Sequence, residues 1–121
     1  MALVLFEIRD NIALLTLNNP DKRNMLTLEV CAQIVDYVAQ AEQDPDVKAL
    51  IVTGVGKAFC AGGQLKDLTP NQPVLEAIYS GFLSIANCSL PTIGAINGPA
   101  VGAGFNMAVG CDVRIDRKSV V

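Results

Sequence analysis

Histidine is absent from the 121 residues. That excludes Ser-His-Asp and Cys-His catalysis and removes the commonest metal ligand. The four cysteines, Cys31, Cys60, Cys88 and Cys111, are far apart and form no C-x-x-C pair. They read as free thiols in a reducing setting, with no metal site. Basic residues are few. Lys and Arg total 9 against 12 Asp and Glu, a net charge of −3 with no basic cluster. A nucleic-acid partner is therefore not expected. No apolar run is long enough to span a bilayer. The N-terminus lacks the basic-then-apolar pattern of a secretory leader, so the expected location is the cytoplasm.

What the chain has is apolar residues, at 51%, enough for the core of a single domain. The stretch that organises the rest is Thr92 to Ile115, TIGAINGPAVGAGFNMAVGCDVRI. Thr92–Ile96 is an apolar run of strand length, and Asn97-Gly98-Pro99 is a turn signal. Gly102-Ala103-Gly104 then leads into Phe105–Val109, which reads as a buried helix. The first turn of a helix carries unpartnered N–H groups and partial positive charge. Small residues there let a ligand oxygen come close to those amides, so the place can hold a phosphate, a carboxylate or a developing oxyanion. They also simply let a helix pack closely on a strand, and spacing alone leaves both readings open.

The upstream chain supplies further elements. Leu3–Ile8 and Ile12–Leu17 read as a hairpin turning at Asp10-Asn11. Phe6, Ile8, Leu15 and Leu17 carry the period of two expected of one buried face. A polar loop with adjacent Lys22 and Arg23 follows. Thr27 is a candidate N-cap with Glu29 in the first turn. Val30, Cys31, Ile34, Val35 and Val38 form an apolar stripe, and the helix should stop before Asp44-Pro45. Val47–Thr53 reads as a strand covered on both faces. The loop after it, with Gly62-Gly63, lies at a strand's C-terminal end, where ligands bind in α/β folds. Val74–Ala86 is the next helix, despite Gly81. This order predicts an α/β fold with helices covering a sheet.

Two segments carry a family resemblance. I-x-A-I-N-G-x-A-x-G-A-G followed by C-D-V-R-I resembles the signature of the enoyl-CoA hydratase/isomerase (crotonase) family. Gly56–Leu68, GKAFCAGGQLKDL, resembles that family's G-x-A-F-x-A-G-A-D-L-K-x-L block. The resemblance implies a crotonase-like ββα spiral, here truncated, with residues 1–115 the N-terminal part of an acyl-CoA-binding domain. It implies an acyl-CoA substrate, with coenzyme A as part of the substrate and no separate cofactor. The thioester's enolate oxyanion would be held by the backbone amides of Gly63 and Ala103. Lys22, Arg23, Met25, Ala61, Gln64 and Leu65 would lie along the coenzyme. Full-length relatives of this kind would form homotrimers or hexamers.

Two departures stand out. Gln64 replaces the family's usual Asp. Asn106 sits where hydratases carry their first catalytic Glu, and an amide cannot serve as a carboxylate base. Hydration, isomerisation of an enoyl-CoA, or non-catalytic acyl-CoA binding all fit. An unrelated phosphate-binding α/β domain is the remaining alternative. Asp112 reads as structural, capping or pairing locally. Residues 116–121, DRKSVV, match one reading frame of a common sequencing adapter and are expected to be a non-native tail.

Overall fold

The computed structural model describes residues 2–63 and 72–116. Strand β1 (Val4–Arg9) turns through Asp10 and Asn11 into β2 (Ile12–Leu17). Both turn residues have positive φ, 52° and 69°, the type I′ geometry that matches the twist of a two-residue hairpin. Helix α1 (Leu28–Gln43) leads to β3 (Ala49–Gly54), α2 (Gln72–Ala86) to β4 (Thr92–Ile96), and α3 (Ala103–Gly110) to β5 (Val113–Asp116). The five strands form one sheet in sequence order. β1 is antiparallel to β2, and β2 through β5 are parallel. The parallel strands therefore end at one edge, which gathers the loops after β2, β3 and β4.

Local chemistry explains the helix ends. Thr27 Oγ1 accepts from Val30 N–H at 3.2 Å and caps α1. Asp44 closes it in extended conformation before Pro45. The α1 stripe buries Val30, Cys31, Ile34 and Val38, while Val35 is only half-buried. Helix α2 buries Ile78, Phe82 and Ile85. Gly81 interrupts neither its pattern nor its packing. A β-carbon there would sit 2.7 Å from Cys31 Sγ, so glycine sets how closely α2 approaches α1.

Four expectations change. Ile8 is exposed, although Ala13, its partner across the hairpin, is fully buried. β3 is covered on one face: Leu50 and Val52 are buried, Ala49 and Ile51 only half-buried. Helix α3 is not buried all round. Gly104, Met107 and Ala108 face the core, but Phe105 and Val109 are exposed, with no described residue covering that side. Asp112 does pair structurally, but across the sheet. Its carboxylate accepts from Thr92 N–H, and Thr92 Oγ1 accepts from Asp112 N–H, both at 2.9 Å. That reciprocal pair fixes the return from α3 into β5, a strand the sequence reading lacked. The expected tail at 116–121 lies outside the described residues apart from Asp116.

Candidate active site

Three loop segments run side by side at the C-terminal edge of the parallel strands. Phe59–Gly63 is in the middle. On one side, Ala61 N–H donates to Arg23 O at 2.8 Å and Leu26 N–H to Gly62 O at 2.7 Å. On the other, Phe59 N–H donates to Pro99 O and Val101 N–H to Cys60 O, both at 3.0 Å. Chain segments from after β2, β3 and β4 thus form a small irregular sheet of their own.

Two asparagines hold this arrangement. Asn24 is buried at φ 57°, in the left-handed region that Asn tolerates better than most residues. Its Nδ2 donates to the carbonyls of Val55 and Ala58 at 3.0 Å and of Phe59 at 3.2 Å. Its Oδ1 accepts from Asn19 N–H at 2.8 Å. Asn97 Nδ2 donates to Gly56 O and Ala58 O, both at 3.0 Å. Replacing Asn24 with Ala removes the donor to Phe59 O and Val55 O, while Ala58 O keeps Asn97, and puts a poorly suited residue at positive φ. Urea unfolding should show a loss of about 3 kcal/mol. Asn24→Gly, which keeps the conformation, should lose less. Equal losses would mean that backbone geometry contributes nothing.

The start of α3 is packed onto the middle segment. A β-carbon on Gly104 would fall on the Cys60 carbonyl, and one on Gly62 would lie 2.9 Å from Val101 O and 3.7 Å from Ala103 N. Gly62 also needs its φ of 103°, which side chains disfavour. These glycines bring the loop and the helix N-terminus together. Among the described residues, nothing accepts a hydrogen bond from the N–H of Gly63 or of Ala103.

Both residues line one open cavity of about 470 Å³. Its floor is Ala61, Gly62, Gly63, Gly102 and Ala103. Its opposite wall is Leu75, Ile78 and Tyr79 of α2, and Asn106 stands at its side. None of the described lining residues is charged. A second cavity of about 370 Å³ adjoins it through Ala61 and Val101 and also touches Ala58 and Pro99. Arg23 and Lys57 line this one, and neither has an ion-pair partner among the described residues. A cationic cleft thus leads into an apolar chamber floored by backbone amides, a shape suited to a ligand with an anionic head and an apolar end.

Of the residues singled out from sequence, Gly63, Ala103, Asn106 and Ala61 line the chamber, and Arg23 and Ala61 line the cleft. Lys22 is exposed and Met25 half-buried, and neither lines either cavity. Gln64 and Leu65 lie outside the described residues. Lys57 and Tyr79 were missed. Lys57 lies inside the GKAF motif, and its charge next to a glycine was the available signal. The cysteines do not contribute a nucleophile. Burial pushes the Cys60 thiol up to about 11, against a smaller lowering by the Gly62 backbone. Burial, with Cys60 nearby, pushes Cys31 up to about 12. Both stay protonated near neutral pH. Among the described residues no group of three His, Cys, Asp or Glu could hold a metal ion, and no helix is long and apolar enough to cross a membrane.

Residues 7–120 match the family model described as Enoyl-CoA hydratase/isomerase. A Mycobacterium tuberculosis protein named "Probable enoyl-CoA hydratase EchA14" is 50% identical over 117 residues, covering 93% of this chain and 46% of its own length. The 1,2-epoxyphenylacetyl-CoA isomerase of Escherichia coli is 34% identical, covering 98% of this chain and 49% of its own. The crystal structure of an enoyl-CoA hydratase/isomerase from Xanthobacter autotrophicus Py2 superposes with a TM-score of 0.91 at 31% identity, covering 98% of this chain and 47% of that one. The chain spans about half the length of the curated relatives it matches.

Proposed function

The chain belongs to the enoyl-CoA hydratase/isomerase family and has its crotonase fold, and from that premise we propose that it is the N-terminal half of an enzyme that binds acyl-CoA thioesters and polarises their carbonyl. The observation that carries this reading is the pair of amides at Gly63 and Ala103, both without an acceptor among the described residues and both in one chamber. Two fixed donors of this kind stabilise the oxyanion of an enolate, because they are oriented before charge develops and need no reorganisation. The thioester carbonyl would lie between them, with the acyl group toward α2. Coenzyme A would run out through the cleft, where Arg23 and Lys57 would meet its phosphates as charge-assisted donors. Ala61, shared by both cavities, would lie under the pantetheine, and Gln64 and Leu65 continue that side in sequence. Lys22 and Met25 would act further out along the coenzyme, and no cofactor beyond the substrate's own CoA is required.

Hydration or isomerisation of an enoyl-CoA is the reaction class. The matching family is described as both hydratase and isomerase, and the relatives above are named as a probable enoyl-CoA hydratase and a 1,2-epoxyphenylacetyl-CoA isomerase, which supports keeping both chemistries. The full-length protein is expected to be a cytoplasmic homotrimer or hexamer. The test is a short 2-enoyl-CoA, followed by loss of the conjugated thioester absorbance, with CoA-thioester binding measured in parallel. A hydratase consumes crotonyl-CoA. An isomerase leaves it intact and moves the double bond of a 3-enoyl-CoA. Binding without either turnover would support the second reading, a non-catalytic acyl-CoA-binding protein. Asn106 favours that reading, since none of the described residues of the chamber carries a carboxylate. No binding at all would overturn both.

A further inference from the structure

We infer that Tyr79 sets the acyl selectivity of the chamber, favouring acyl groups that carry an aromatic ring. The inference rests on the acyl-CoA reading above. Tyr79 is on the exposed side of α2, 53% accessible, yet its ring is held in place. It meets the buried Phe82 edge-on, with centroids 5.2 Å apart and planes at 65°. Phe82 itself is fixed in the core, so the tyrosine has a braced orientation at the wall of the chamber.

The opposite floor is unlike this wall. Gly62, Gly63, Gly102 and Ala103 offer backbone and at most one methyl. Leu75 and Ile78 flank the tyrosine on its own side. The space between is about 470 Å³, ample for a ring plus its thioester, since a dry cavity of about 150 Å³ already takes benzene. A planar aromatic group in this chamber has the Tyr79 ring to stack on and room beside side-chain-poor backbone. Stacking or edge contact with the Tyr79 ring adds to area burial, an addition a straight alkyl chain does not receive.

The chemistry of the rim agrees. The Tyr79 hydroxyl and the Asn106 carboxamide are the only side-chain hydrogen-bonding groups of the described lining, and neither has a partner among the described residues. Both are neutral. They suit an uncharged ring-bearing acyl group, and the described lining holds no cation to pair with a second carboxylate.

The experiment compares binding of cinnamoyl-CoA and crotonyl-CoA by the full-length protein and by Tyr79→Ala and Tyr79→Phe. Alanine is a strong helix former at an exposed helical site, so the variant should fold. In the parent protein cinnamoyl-CoA should bind more tightly. Tyr79→Ala should lower the cinnamoyl-to-crotonyl affinity ratio by about tenfold, the size of one aromatic contact with its buried area. Tyr79→Phe, which keeps the ring, should restore most of the ratio. An unchanged ratio in Tyr79→Ala, with crotonyl-CoA still bound, would overturn the role of Tyr79 and leave the acyl-CoA reading standing. If the parent protein binds neither thioester, both fall together.

Discussion

Under the proposed function, Ala103→Pro in the full-length protein should lower kcat for an enoyl-CoA by about 10²–10³-fold, equivalent to about 3–4 kcal/mol of barrier. The substitution deletes one N–H and little else. Ala103 is the first residue of α3, where proline is favoured because its missing donor has no intrahelical partner. The residue before it, Gly102, has no β-carbon to collide with the proline ring and is already at φ 57°, ψ −123°. The helix should therefore form, and circular dichroism should match the parent. If the Ala103 amide acts on the oxyanion, the loss appears in kcat while KM changes little, because the interaction strengthens only as charge develops. Ala103→Ser, which keeps the N–H, is the control and should retain most activity. A loss of less than threefold in the proline variant, with fold intact, would remove Ala103 from the chemistry.

That prediction could be framed from sequence, since Gly102-Ala103-Gly104 already reads as a helix start with small residues. Much of the fold was legible for the same local reason. Thr27 caps α1, Asp10-Asn11 makes the hairpin, and the alternation of Leu15 and Leu17 marks a buried face. The failures are of two kinds. Some arise where a signal is too short: β5 is four residues long, and all four are exposed. Apolar content cannot distinguish a helix buried all round from one packed on a single face, so the sequence of α3 predicts burial although Phe105 and Val109 are open. Others arise where the cause is distant in the chain. Asn24 looks like a loop residue, and its role depends on carbonyls 31 to 35 positions away. The pairing of Ala61 with Arg23, which brings a cation to the cleft, is likewise set by tertiary contact. Motif resemblance pointed to the amides of Gly63 and Ala103 because their setting is local backbone. It missed Tyr79 because a wall residue on an exposed helix face lies outside both motifs.

The largest gain expected is from Asn106→Glu. Asn106 lines the chamber in the first turn and a half of α3, exposed, with its own N–H already bonded to Gly102 O at 3.1 Å. Its side chain has no partner among the described residues, so replacing it breaks no contact among them. Glu is the better helix former, and a negative charge near the helix N-terminus is favoured by the dipole. The variant should therefore be at least as stable as the parent. In the crotonase resemblance this position holds a hydratase's first catalytic carboxylate, and a positioned acid or base contributes about 10²–10⁴-fold. Hydration of crotonyl-CoA by full-length Asn106→Glu should rise by about 100-fold or more if the missing carboxylate limits that reaction. Asn106→Gln adds the same length without the charge and should give no gain. An increase in both variants would mean that reach, not basicity, was lacking. No increase in either would mean that the chamber is built for a reaction that needs no carboxylate at this position, and that Asn106 is there to hold a neutral substrate group.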